Sequence, residues 1–186
     1  MIGRKTVLAA MTTMAILGLV APAAQAAPDD TVTLVRADKS TVTVPWQTGP
    51  DGVRYAVDPL NKNKSRGIEN AAIVEKPASV ADDCPSGFVC LYEHGNWGGW
   101  QFQVQGSISV NYLGPFSCPG CISSHHPASN GSWDDQMSSW KNFSGWHYCW
   151  AFDTNGTGER HDMPNGVAVN QVTAHENDEA TSLVTC

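Results

Sequence analysis

Two six-residue runs, Asp134-Asp135-Gln136-Met137-Ser138-Ser139 and Asn177-Asp178-Glu179-Ala180-Thr181-Ser182, obey one rule: two Asn/Asp residues, two free positions, Ser/Thr, then Ser. On ordinary amino-acid usage two such matches in a chain of this size are expected about once in a thousand sequences. Each run offers two carboxylate or amide side chains, a backbone carbonyl and a hydroxyl at the fifth place. That is an all-oxygen donor set, and calcium takes about six to eight hard oxygens at flexible angles. The competing use is local, because Ser, Asn and Asp in turns commonly bond their own backbone. A single run would favour the local use; two at matched places favour an ion.

The places are matched because the runs belong to a repeat. Cys90, Asn96 and Gly99 recur as Cys149, Asn155 and Gly158 at an offset of 59, and the two runs follow in the same order at an offset of 43. The first half is therefore longer, with its surplus between about Gln105 and Ser132. Loops carried on a rigid scaffold are where binding concentrates.

The elements that must position these residues read as short strands. From Asp82 to Cys186 turn signals recur at Pro85-Ser-Gly87, Gly98-Gly99, Pro119-Gly120, Asn130-Gly131, Asn155-Gly156 and Pro164-Asn-Gly166. Between them lie apolar stretches at 88–92, 100–104, 167–169 and 183–185, with no helical spacing over ten or more residues. An all-β sandwich with tight connections follows. Residues 81–186 form the expected domain, holding every cysteine and six of the seven tryptophans. Residues 27–80 differ: 31–35 and 41–46 alternate as one hairpin, followed by turn and linker chemistry at Pro50-Asp51-Gly52 and 61–67. This segment is a spacer, a pro-segment or an edge hairpin, too short of apolar residues for a core of its own.

Residues 1–26 read as a signal peptide: Arg4 and Lys5, an apolar stretch from Val7 to Val20, then Ala-Gln-Ala at 24–26. The stretch is too short for a comfortable bilayer span, so the expectation is a secreted, extracellular monomer with no membrane attachment after processing. Processing removes Arg4 and Lys5 and no acidic residue, taking the formal charge from -7 to -9. Nucleic acid is an unsuitable partner for such a chain.

Cys84, Cys90, Cys118, Cys121, Cys149 and Cys186 are an even set bound for an oxidising compartment. Six cysteines allow about fifteen pairings and spacing alone does not choose among them. The expectation taken is Cys84 with Cys90, Cys118 with Cys121, and Cys149 with Cys186. The last closes the long loop, worth about 4 kcal/mol in the chain-entropy model. Cys118-Pro-Gly-Cys121 lacks the strand-helix setting of a redox pair, and secretion argues against a zinc site with His125 and His126. A structural turn remains.

Tyr92-Glu-His-Gly-Asn-Trp97-Gly-Gly99, followed by Asp134-Asp-Gln-Met-Ser-Ser139, resembles a microbial βγ-crystallin Greek key. Cys84-Pro-Ser-Gly-Phe-Val-Cys90-Leu-Tyr92 resembles the start of the secreted actinobacterial metalloproteinase-inhibitor family built on that fold. The resemblance covers about 82–186 and implies two Greek keys in a βγ-crystallin-like sandwich stapled by disulfides. It implies bound calcium, with side-chain donors Asp135, Ser138, Asp178 and Thr181, and main-chain oxygens of Gln136, Glu179, Glu93 and Phe152. The second key departs from the pattern: Ala151 stands for Tyr92 and Gly156 for Trp97, leaving Trp150 and Phe152 as replacement rings.

The function implied is a secreted peptidase inhibitor acting on an extracellular protease, a metalloproteinase before others. The surplus loop supplies the candidate contact residues Phe116, Ile122, His125 and His126. The alternative is a calcium-stabilised extracellular binding or structural domain, including the killer-toxin-like type. No nucleophile elbow, zincin helix or lactamase-type set occurs, so the chain is not read as an enzyme.

Overall fold

The computed structural model describes residues 30–49, 53–60, 73–77 and 84–186. The signal-peptide reading of 1–26 and the linker reading of 61–67 fall outside these residues.

The first Greek key contains β6 (Phe88–His94), β7 (Gly98–Gln105), β8 (Ile108–Ser109) and β9 (Ser139–Asn142). The second contains β10 (Tyr148–Ala151), β11 (Arg160–Met163), β12 (Val167–Val169) and β13 (Ser182–Thr185). All pairings are antiparallel, and each key sends its third strand to the other key. β12 pairs β9 with Val169 opposite Trp140, while Val110, just after β8, bridges Leu183 of β13. By the two offsets these bridges are equivalent, so the sequence repeat is also a repeat of packing.

β6 is buried through six of its seven residues because both of its faces are covered. Alternation sends Val89 and Leu91 into the main core, while Phe88, Cys90 and Tyr92 form a second cluster with Cys84. The main core holds Phe102, Trp133, Trp150 and Leu183. The three disulfides are Cys84–Cys90, Cys118–Cys121 and Cys149–Cys186, the pairing favoured from the sequence.

The described part of 27–80 is built into the same sandwich. β1 (Thr31–Arg36) and β2 (Thr41–Pro45) form the expected hairpin, with Val32 and Leu34 inward and Thr31 and Thr33 outward. The hairpin pairs β8 through Val35 and Arg36. β3 (Gln47–Thr48), β4 (Arg54–Ala56) and β5 (Ile73–Pro77) were not legible in the sequence; they extend the other sheet from the free side of β7. Val32, Leu34, Val44, Ala56 and Ile73 join the main core, so this segment shares a core instead of forming one. Arg36 anchors it internally, donating through Nε and an Nη to the two oxygens of Asp58, each at 2.7 Å.

Candidate functional site

The two keys end in equivalent folded hairpins. Asn96 and Asn155 have φ of 55° and 60°, Trp97 and Gly156 have 60° and 68°, and Gly99 and Gly158 have 77° and 73°. Gly99 is required by contact as well as by angle, since a Cβ there would lie 2.6 Å from Glu93 Oε2. Tyr92 is fully buried, with Trp97 packed on the same cluster, as the sequence motif implies. Lys141 covers the Trp97 ring, its Nζ 4.3 Å from the centroid. In the second key Trp150 and Phe152 stack at 5.6 Å, and His161 stacks on Trp150 at 4.2 Å.

The final serine of each run secures its own hairpin. Ser139 Oγ donates to His94 O at 2.6 Å and accepts from Trp97 N–H at 3.2 Å. Ser182 Oγ donates to Asp153 O at 2.6 Å and accepts from Gly156 N–H at 3.0 Å. This role was missed in the sequence, although its signal, an invariant serine at the sixth place of both runs, was visible.

The middle of each run faces the other key. Asp135 and Asp178 both sit in the left-handed region, at φ 54° and 62°, which aspartate tolerates better than most residues. Asp135 N–H donates to Ala180 O at 3.0 Å, and Asp178 N–H to Met137 O at 3.1 Å. Ser138 N–H bonds Tyr92 O and Thr181 N–H bonds Ala151 O, both at 2.9 Å. Thr181 Oγ1 donates to Asp135 Oδ1 at 3.0 Å, bringing one expected donor from each key together.

Asp135, Thr181, Glu179 and Phe152 line one open depression, with Asp153 and His126 on its wall. The other four expected donor residues, Gln136, Ser138, Asp178 and Glu93, lie outside that depression; Asp178 is half-buried and the other three are buried. The Glu93 carboxylate is already engaged, its Oε2 accepting Trp100 N–H at 3.0 Å.

Burial raises the carboxyl of Asp178 above the usual carboxylate range, against the pull of the Ser123 hydroxyl. Burial, with the neighbouring Asp135 charge, does the same for Asp134. Asp134 Oδ1 is buried without a hydrogen-bond partner among the described residues. His126 reaches over from the loop, Nε2 at 3.1 Å from Glu179 Oε1 and Nδ1 at 3.6 Å from Asp135 Oδ2. The Glu179 hydrogen bond is the main reason its pKa is raised. Crowded carboxylates, an orphaned acceptor and a cross-key hydroxyl suit a hard cation.

The surplus loop is tightly closed. Cys118 N–H bonds Gly131 O at 2.9 Å, Gly131 N–H bonds Cys121 O at 3.1 Å, and Ser117 bridges Ser132. Ser123 Oγ accepts from both His125 N–H and His126 N–H at 3.1 Å, and Asn130 Oδ1 accepts Ser123 N–H at 2.8 Å. Ile122 projects from this frame at 78% exposure, directly after the buried disulfide. His125 is also exposed.

Phe116 requires a correction. It is 4% exposed and packs edge-on against Phe102 at 5.0 Å and Trp46 at 6.0 Å, so it roots the loop in the core and is not a contact residue. The paired cysteines also leave no thiolate for a zinc site. Trp146 is 46% exposed, whereas Trp100 is half-buried against the main core.

Residues 77–163 match the model of peptidase inhibitor family I36. Among solved structures, one on the evolution of the eye-lens βγ-crystallin domain fold is similar at 20% identity and TM-score 0.45, covering 61% of this chain and 96% of that one. A βγ-crystallin domain from Clostridium beijerinckii is similar at 26% identity and TM-score 0.37, covering 53% and 95%. The N-terminal domain of protein S gives 13% identity and TM-score 0.37, covering 53% and 94%. No curated protein matches.

Proposed function

We propose, from the match of residues 77–163 to peptidase inhibitor family I36, that this chain is a secreted inhibitor of extracellular metalloproteinases. The observation that carries the proposal is Ile122, a large apolar side chain held out at 78% exposure by a disulfide-clipped loop. An inhibitor gains affinity when its contact loop loses little freedom on docking, and this loop is already closed by its own hydrogen bonds. Burying one isoleucine side chain contributes roughly 1.5–3 kcal/mol. The contact surface is Ile122 with His125; Phe116 holds the loop from below, and His126 turns towards the carboxylates.

Calcium is the second part of the proposal. Asp135 and Thr181 side chains, with main-chain oxygens of Glu179 and Phe152, form one donor set; Asp178 and Ser138, with Gln136 and Glu93, form the other. Bound there, the ion supplies charge neutralisation and a cross-link between the keys. Each set has about one formal carboxylate from its named side chains, so affinity falls in the extracellular-module range.

Secretion is supported by the basic and apolar pattern of residues 1–26. A monomer is supported by the N-terminal strands, which cover the β7 and β8 edges.

A calcium-stabilised extracellular binding or structural domain is the second reading, and the Asp135–Thr181 contact serves it equally. The two separate in a panel using the purified full chain. Selective inhibition of a thermolysin-like protease over subtilisin-like and trypsin-like enzymes is expected. No inhibition of any of them at high excess, with retention on a cell-wall glycan, would give the second reading the field.

A further inference from the structure

The loop that carries Ile122 is supported from below by residues that precede the family-matched stretch 77–163. Trp46, next to β2, meets Phe116 edge-on with centroids 6.0 Å apart. Arg54 of β4 lies over the other part of this support, its guanidinium carbon 4.6 Å from the Trp46 centroid. Glu75 of β5 is 3% exposed, and its Oε1 accepts Ser117 N–H at 2.8 Å. Its Oε2 lies 3.3 Å from Arg54 Nη1, and Arg54 Nη2 continues to Asp30 Oδ1 at 2.7 Å. Adjacent loop residues are thus held in two ways, Phe116 by packing and Ser117 by a buried carboxyl, immediately before Cys118.

We infer that the N-terminal strands brace the protease-contact loop, with Glu75 as the positioning residue acting through Ser117 N–H and Trp46 as the apolar prop under Phe116. The inference rests on the reading of this loop as the contact surface. It gives Trp46, Arg54 and Glu75 a role in inhibition that the two Greek keys alone would not supply.

The chemistry of the brace can be read separately from its mere presence. Burial pushes the Glu75 carboxyl up to about 7, against the opposing pull of Arg54 and of Ser117 N–H, while Asp30 adds a smaller upward push. Burial as a whole favours the neutral carboxyl, but the Ser117 N–H bond favours the carboxylate, so this contact strengthens as pH rises through about 7. Glutamine in its place keeps an acceptor for Ser117 N–H and removes the titration.

The test uses the full chain and its Glu75→Gln and Glu75→Leu variants. Amide-exchange protection of residues 117–122 and inhibition of thermolysin are measured from pH 5.5 to 8.5. Expected in the wild type is a rise in Ser117 protection, normalised for intrinsic exchange, as pH rises through about 7 and the acceptor ionises. Glu75→Gln should be flat, and Glu75→Leu should lose about tenfold or more in protection and in inhibition while melting cooperatively. Wild-type and Glu75→Gln profiles that coincide would overturn the titrating brace. A folded Glu75→Leu with unchanged loop protection would overturn the brace altogether. If Glu75→Leu fails to fold, the comparison with Glu75→Gln still decides. Loop protection that behaves as expected in a chain that never inhibits thermolysin would leave the brace standing and remove the protease reading.

Discussion

Thr181 Oγ1 donates to Asp135 Oδ1 at 3.0 Å although 46 residues separate them, one residue belonging to each Greek key. The contact joins two side chains of one proposed calcium donor set. Calcium at about a hundred times its dissociation constant should add roughly 2.7 kcal/mol to stability. The wild type should melt higher in calcium than in chelator, and Asp135→Ala should reduce that difference by about half. Differential scanning calorimetry checks this; identical melting curves for the wild type in the two conditions would remove the ion from the account.

Ser139 and Ser182 perform the same task in different keys, each hydroxyl bridging a carbonyl and an amide of its hairpin. Both are fully buried, so alanine leaves polar groups without partners, at roughly 1–3 kcal/mol for each site. Urea unfolding should show similar losses for Ser139→Ala and Ser182→Ala, with an unchanged m-value. A loss at one site only would mean that the repeat is not energetically symmetric.

Glu75 sets a pH dependence of folding with a definite sign. Its carboxyl rises from an ordinary value of 4.5 in the open chain to about 7 in the fold. Below the lower value both states are protonated and nothing is lost. Between the two the unfolded chain gives up its proton first, so stability falls as pH rises, by an amount on the order of 2–3 kcal/mol once pH exceeds 7. Glu75→Gln should flatten this fall and be the more stable protein at pH 8. Chemical denaturation at pH 5 and pH 8 measures it.

Ile122 and Phe116 should separate function from stability. Ile122→Asp places a charge at an exposed site and should leave the stability within about 0.5 kcal/mol of wild type while weakening inhibition at least tenfold. Phe116→Ala should cost about 3–5 kcal/mol, since it empties a site filled against Phe102 and Trp46. Paired melting and inhibition assays check both. Equal effects of Ile122→Asp on the two readouts would place that side chain in the structure and not in the contact.

Much of the fold was legible because it is repetitive. The offsets of 59 and 43 appear in the structure as matched φ values at Asn96 and Asn155 and at Asp135 and Asp178. The strands at 88–92 and 183–185 were visible because turn signals bound them. β4 and β5 were hidden because pairing with partners distant in sequence, not local composition, makes them strands, and β3 is a two-residue strand that pairs β4. Glu75 shares a strand face with Ile73, and a buried carboxylate at such a place gives no sequence sign that an amide from residue 117 will meet it. Phe116 was assigned to the surface because it lies in the surplus stretch, yet a loop needs an apolar root. In the two runs the donor chemistry was read in the first five positions, and the structural task of the sixth went unnoticed.

The proposed inhibition depends on Ile122 reaching a metalloproteinase active site from its disulfide-clipped loop. Its most direct measurement is calorimetric titration of the full chain into thermolysin, with and without a small zinc-directed inhibitor filling the enzyme's cleft. The account predicts a one-to-one complex that the small inhibitor abolishes and that Ile122→Asp weakens at least tenfold. Binding that persists with the cleft filled, or no binding at all, would contradict it.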